Sequence, residues 1–254
     1  MKRAELCRIV SKKEIIPDIF DVIVESPQIA AEAKPGQFLH IDCGDGMQTF
    51  LRRPISICDA FDTSVRFLFR RTGSGTSVLA QKQPGDTLDI LGPLGNPFTL
   101  LPQAQKPILI GGGIGIFPLY LLCKQLNGAR VLLGFQSKDK VLMEEEFQAL
   151  AETTVATDDG SYGYNGYAVN LLEELLKQEE GDIVYSCGPT PMLKAVQRIT
   201  QQYGVKCQLS LEQRMGCGIG ACLTCTCETT SKGVHQHKRV CKNGPVFWSS
   251  EVIL

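Results

Sequence analysis

PILIGGGIGIFPLYLLCKQL, residues 107–126, decides how the chain divides. Its uncharged run from Pro107 to Cys123 approaches the roughly 20 residues needed to span a bilayer. Four glycines and Pro118 interrupt the run, so strand, glycine turn and helix fit it better than a membrane span. A strand passing through glycines into a helix opens a βαβ unit. The rhythm continues downstream: ARVLLGFQ (129–136), TTVATDD (153–159) and DIVYSCGP (182–189) read as strands. FPLYLLCKQL (117–126), LMEEEFQAL (142–150), AVNLLEELLKQ (168–178) and PMLKAVQRITQQY (191–203) read as helices. Strands alternating with helices predict a doubly wound parallel sheet over residues 101–206.

Upstream, over residues 1–100, short runs rich in Val, Ile and Phe alternate with turn signals: IFDVIVES, GQFLHIDCG, PISICDA, SVRFLFRR and DTLDILGPLG. Their even spacing predicts a small antiparallel β-barrel. Over residues 207–254 the periodicity gives way to glycine, cysteine and threonine, so this segment needs something besides apolar burial to order it. The fold class is therefore α/β plus β: barrel, nucleotide-type sheet and a small C-terminal segment. The net charge is −1, and the lysines and arginines are dispersed, which gives neither a nucleic-acid footprint nor a polybasic membrane patch. The opening MKRAELCRIV is broken by Glu5 and Arg8 and does not read as a signal peptide, so a cytoplasmic location is expected.

The chain has eleven cysteines, an odd number, which in a reducing compartment points to metal rather than disulfides. MGCGIGACLTCTCETT (215–230) spaces Cys217, Cys222 and Cys225 as C-x4-C-x2-C, with Cys241 further on, the plant-type [2Fe–2S] spacing. Gly216, Gly218 and Gly220 let the backbone curl close to sulfur. Structural zinc is the competing reading, although only Cys222 and Cys225 have the usual knuckle spacing. Cys227 falls outside the pattern and reads as a buried neighbour, while His235 and His237 read as solvated loop residues.

GGGIGIFP (111–118) sits where a strand-to-helix turn cradles a pyrophosphate, with Gly112, Gly113 and Gly115 at the turn. It is not G-x-G-x-x-G, and a glycine-rich structural turn accounts for it as well. No acidic residue closes the next strand, so the pattern does not choose between NAD and NADP. SCGPTPM (186–192) puts Cys187 and Gly188 at the carboxyl edge of the sheet, where ligands bind; an ordinary Gly-Pro turn is the alternative. A nicotinamide gives up a two-electron hydride, whereas a cluster takes single electrons, so a flavin is needed between them. LRRPISI (51–57) offers Arg53 as a phosphate clamp beside Pro54, Ile55 and Ser56; a solvated arginine pair is the alternative. RRTGSGTSVLA (70–80) adds a turn at Gly75 and Thr76 that leads into a helix.

With these motifs the chain resembles the ferredoxin–NADP reductase superfamily, through Arg53 to Ser56, Gly75 and Thr76, GGGIGIFP and CGP. Barrel first, nucleotide domain second and cysteines last, together with RRPISI, TDDGSYGYNG and VCKNGPVF, are similar to the electron-transfer subunits of type B dihydroorotate dehydrogenases. The resemblance implies FAD on Arg53, Pro54, Ile55, Ser56, Leu68, Phe69, Arg70, Gly75 and Thr76. It implies NAD on the 101–206 domain and a [2Fe–2S] cluster on Cys217, Cys222, Cys225 and Cys241. It also implies a partner, an FMN-containing dihydroorotate dehydrogenase catalytic subunit, two copies of each forming a heterotetramer. Electrons would pass from that FMN through the cluster and FAD to NAD+ as dihydroorotate becomes orotate in pyrimidine synthesis. No catalytic acid or base is expected here, and Asp158 and Asp159 lie beside the nucleotide or in a plain acidic turn. Two other readings share these residues: the same cofactors serving ferredoxin or a sulfur-reducing partner, and a zinc-stabilised interaction module.

Overall fold

The structure, a computed structural model, describes residues 3–44, 49–231 and 233–254. Met1 and Lys2, part of the stretch weighed as a signal peptide, lie outside the described residues.

Strands β1 (Arg3–Ile16), β2 (Ile19–Glu25), β3 (Phe38–Ile41), β4 (Arg53–Phe61), β5 (Ser64–Arg70) and β6 (Thr87–Leu94) close into an antiparallel barrel in the order β1-β2-β5-β4-β3-β6. Alternation drives the closure: Val22 and Val24 on β2, Phe67 and Phe69 on β5, and Leu88 and Ile90 on β6 point into one core, where Phe20 stacks on Phe69 at 5.3 Å. Helix α1 (Pro27–Glu32) starts on Ser26, whose hydroxyl accepts from the Ile29 amide, and buries Ile29 in that core. Helix α2 (Ser74–Gln81) follows β5.

The predicted parallel sheet is present and larger than the sequence suggested. Strands β7 (Pro107–Gly112), β8 (Arg130–Phe135), β9 (Glu152–Thr157), β10 (Tyr164–Asn165), β11 (Ile183–Cys187) and β12 (Lys206–Ser210) join in the order β10-β9-β8-β7-β11-β12. Helices α3 (Phe117–Cys123) and α4 (Glu144–Gln148) cover one face, and α5 (Ala168–Lys177) and α6 (Thr190–Gln202) cover the other. Successive residues of β7 show why: Ile108 and Ile110 pack with α5 and α6, and Leu109 packs with α3. The order reverses between β7 and β11, which creates a crevice at their carboxyl ends.

The C-terminal portion is a hairpin of β13 (Thr226–Ser231) and β14 (Val234–Arg239), a short helix α7 (Val240–Asn243) and strand β15 (Val246–Trp248). β15 pairs antiparallel with β12, so the chain beyond residue 206 supplies two strands of the seven-stranded sheet. His235 and His237 are exposed on β14, on a strand rather than in the expected loop. Cys227 is buried against the core that holds Cys225 and Cys241.

Barrel and sheet share an apolar seam in which Ile19, Cys58 and Leu68 pack with Phe117 and Leu119. Two ionic contacts cross it. Arg66 of β5 donates to Asp21 at 2.8 Å and to Glu146 of α4 at 2.5 Å, and Lys124 at the end of α3 donates to both Asp59 oxygens at 2.9 Å.

Candidate redox site

The loop from β12 to β13 carries Cys217, Cys222 and Cys225, and α7 presents Cys241. Cys217 interacts with Cys222, and Cys241 with Cys225 and also with Cys217. Among the described residues, no three His, Cys, Asp or Glu side chains converge on a single-ion site. Backbone donors face sulfur as anticipated: the Ala221 and Cys222 amides lie 3.2 and 3.4 Å from Cys217 Sγ, and the Cys241 amide lies 3.4 Å from Cys225 Sγ. Left-handed backbone at Gly218 (φ +67°) and Gly220 (φ +87°) turns the loop tightly enough for this. The Thr224 hydroxyl, 3.2 Å from Cys222 Sγ, together with the Thr224 backbone and Cys217, lowers that exposed thiol to about 6. At Cys217 burial opposes ionisation, but the amides of Ile219, Cys222 and Ala221 outweigh it and the thiol moves down. Burial pushes Cys241 up to about 12. Four interacting thiols, with amides already aimed at sulfur, are a donor set that suits a [2Fe–2S] cluster.

In the barrel, the fold brings together two motifs that lie apart in the chain. Arg53 opens β4 and Gly75 lies in the first turn of α2, and a Cβ on Gly75 would meet Arg53 Nε at 2.5 Å and Nη2 at 2.8 Å. The guanidinium therefore lies on the start of the helix, so two anion-attracting groups share one spot. Arg53 also donates to the Leu51 carbonyl. The two arginines part company: Arg52 turns away to Asp89, at 2.6 and 3.1 Å. The Thr76 hydroxyl accepts from the Thr72 and Gly73 amides at 2.9 and 3.1 Å and so shapes the turn. Pro54, Ile55 and Ser56 are half-buried along β4. The Leu68 side chain is in the seam and that of Phe69 in the barrel core, while Arg70 is exposed.

The two glycine turns of the sheet also meet. β11 pairs with β7 so that Cys187 faces Gly111. A Cβ on Gly115 would lie 2.6 Å from the Cys187 carbonyl oxygen and from Gly188 Cα, and one on Gly188 would lie 3.1 Å from the Gly112 amide nitrogen. Gly115 is thus needed for backbone-to-backbone packing and Gly188 lies close to the Gly112 backbone, whereas a Cβ on Gly112 would meet the Met192 side chain. Gly113, left-handed at φ +56° with nothing within 4 Å of a Cβ, faces open space. Cys187 is buried, and burial pushes its thiol far up, so it is no nucleophile. Asp159 binds the Ser161 amide and hydroxyl at 2.9 and 2.6 Å, and Ser161 in turn accepts from the Lys138 amide. That bonding makes Asp159 part of a loop brace. Burial and the neighbouring Asp159 charge raise the Asp158 carboxyl.

Sequence reasoning missed His40. It lies on β3 opposite Pro54, fully buried, and the cysteine-loop residue Gly218 rests on its ring. Burial, followed by the Arg52 charge, lowers it to about 4. The available signal was a histidine inside the apolar run FLHI.

Residues 212–253 match the family described as the iron–sulfur cluster binding domain of dihydroorotate dehydrogenase B, and residues 109–198 match the oxidoreductase NAD-binding domain. The electron transfer subunit of dihydroorotate dehydrogenase B (NAD(+)) from Bacillus caldolyticus is 43% identical over 258 residues, covering 98% of each chain. The chain belongs to this family. The corresponding subunit of Lysinibacillus sphaericus is 42% identical over 262 residues and covers all of both chains. Among solved structures, one of an NADH-dependent reduced ferredoxin-NADP oxidoreductase, described in connection with flavin-based electron bifurcation, superposes with a TM-score of 0.86 at 33% identity. It covers 100% of this chain and 91% of its own. The ferredoxin reductase of carbazole 1,9a-dioxygenase shares the fold, with a TM-score of 0.67 at 21% identity over 80% of this chain and 67% of its own. The chain is an oxidoreductase subunit with an NAD-binding and an iron–sulfur-binding domain, and family membership implies a catalytic partner subunit. No helix among the described residues is long and apolar enough to cross a membrane.

Proposed function

We propose that this chain relays electrons from an FMN-bearing dihydroorotate dehydrogenase subunit to NAD+, through a [2Fe–2S] cluster and FAD, in a cytoplasmic assembly of two plus two subunits. The division of labour is FAD on residues 1–100, NAD on 101–206 and the cluster on 207–254. A flavin exchanges hydride with a nicotinamide and single electrons with a cluster, which is the conversion the relay requires.

Arg53 and the amides opening α2 hold phosphate charge, while Pro54, Ile55 and Ser56 and the Leu68–Arg70 backbone line the isoalloxazine side. The mutual approach of Arg53 and Gly75 is the observation that carries this assignment. Gly112, Gly113 and Gly115, with Cys187 and Gly188, form the nicotinamide crevice, where the close-packed turns orient the ring and no side chain need donate a proton. Cys217, Cys222, Cys225 and Cys241 are the metal ligands, and the Ala221 and Cys222 amides favour the thiolate form of Cys217. Ile219 and Leu223, 45% and 63% exposed in the cysteine loop, suit docking against the partner.

The test is an absorption spectrum of anaerobically purified protein, oxidised and then reduced by NADH, with metal analysis. Flavin bands, iron and acid-labile sulfide in equal amounts, and bleaching by NADH are expected; a colourless protein or one holding zinc without iron refutes the reading. The 33% identity to an NADH-dependent ferredoxin-NADP oxidoreductase structure supports a second reading, in which the same cofactors serve a different partner. Co-purification of an FMN-containing, dihydroorotate-oxidising chain decides between the two.

A further inference from the structure

Strand β3 is apolar except at one position. Phe38, Leu39 and Ile41 are buried, and so is His40, at 0% exposure. The backbones of Arg52 and Cys217 come near the ring, but neither ring nitrogen makes a well-aligned hydrogen bond within the chain. Leaving a buried polar group unsatisfied is destabilising, so filling this space with leucine would be the more stable choice for the barrel alone. A histidine kept there has an N–H for which the chain offers no well-aligned acceptor.

The surroundings identify one. On one side His40 pairs in register with Pro54 of the flavin motif, and its carbonyl accepts from Arg52 of the same motif at 3.4 Å. On the other side is Gly218, whose left-handed backbone presses on the ring so closely that a Cβ would come within 3.0 Å of both Cγ and Cε1. Gly218 follows Cys217 in the chain. The ring is thus held between the strand assigned to the flavin and the loop assigned to the cluster. A neutral imidazole offers one N–H, and the acceptors a [2Fe–2S] centre brings to this loop are sulfurs.

We propose that His40 is a positioning residue for the cluster, its ring N–H donating to sulfur at the Cys217 side of the centre and tying that centre to the barrel strand beside the flavin. The assignment rests on the reading of the four cysteines as cluster ligands. A hydrogen bond to sulfur stabilises the reduced, more negative cluster, so its removal lowers the reduction potential.

The experiment uses the holoprotein with ¹⁵N-labelled histidine, together with His40→Leu and His40→Gln. Iron and sulfide content, pulsed EPR of the reduced cluster and an EPR-monitored redox titration are measured. In the wild type a histidine-nitrogen coupling is expected. His40→Leu loses it and lowers the reduction equilibrium constant about tenfold, or about 59 mV for a one-electron couple. His40→Gln, which keeps an N–H donor, stays within about threefold of wild type. A loaded wild-type cluster without histidine coupling overturns this assignment alone, as does a loaded His40→Leu protein with an unchanged potential. Wild-type protein with no iron or sulfide overturns the functional reading and the assignment together.

Discussion

Replacing Gly115 by alanine tests whether the two turns of the sheet form one nicotinamide cradle. The new Cβ would lie 2.6 Å from the Cys187 carbonyl oxygen and from Gly188 Cα, against about 3.4 Å for ordinary contact, and both atoms are backbone. No rotamer change relieves the clash, so the turn after β7 must move away from that after β11 by about 0.8 Å. Such overpacking costs typically 1–3 kcal/mol. Taken as about 2 kcal/mol, it lowers Tm by roughly 4–8 °C in a chain of this size. A displacement near 1 Å at a site of hydride transfer lowers kcat/KM by about 10². The assay is NADH-driven dye reduction alongside a thermal melt, with FAD and iron content as controls that stay unchanged. Gly112→Ala is the comparison: its nearest obstacle, at 2.7 Å, is the sulfur of flexible Met192, so its effects are smaller. A Gly115→Ala protein with wild-type Tm and wild-type kcat/KM for NADH, or a Gly112→Ala protein more damaged than it, refutes the cradle.

Gly75→Val drives a side chain into the Arg53 guanidinium and is expected to weaken FAD binding at least tenfold, or about 1.4 kcal/mol, measured as flavin retained per chain on dilution. Cys225→Ala loses the cluster but keeps FAD, so NADH-driven dye reduction persists while transfer to the partner stops; partner FMN reduced at the wild-type rate would break the linear relay. Arg66→Met leaves Asp21 and Glu146 without their shared cation across the seam. Removing one partner of a buried pair costs about 3–5 kcal/mol, and with the Glu146 side chain 37% exposed the low end is expected, read by denaturant melts. In metal-free protein a maleimide modifies exposed Cys222 first, while buried Cys58, Cys187 and Cys207, whose thiols burial pushes up, stay unmodified until the fold opens.

Much of the architecture was legible because it follows from local periodicity. Alternation in FDVIV and VRFLF gives the barrel faces, and ILI running into GGG gives the first βα turn. The cysteine spacing was legible because a polynuclear site restricts the chain so strongly that few spacings reach it. What escaped depended on contacts far apart in sequence. KCQLS (206–210) is too short and polar to declare itself, yet it is a buried strand because β11 and β15 flank it. The approach of Arg53 to Gly75 is a meeting of β4 with α2 that neither motif announces. His40 looked like an interruption in an apolar run, and only the closed barrel set it against Gly218. Arg52 and Arg53 take different partners because Asp89, distant in sequence, is bonded by Arg52.

The cysteine-bearing segment is fastened at both ends. It leaves the sheet after β12 and returns as β15, and just before the return the Gly244 and Asn243 carbonyls accept from the Asn96 amide and side chain at 2.6 and 2.8 Å. Many electron carriers sit on tethered domains that swing between donor and acceptor, so their throughput falls as the solvent thickens. A segment stitched into the sheet and onto the end of the barrel has no such freedom. Transfer inside this chain is then governed by a fixed gap between its centres and is indifferent to viscosity, leaving docking of the partner as the diffusive event.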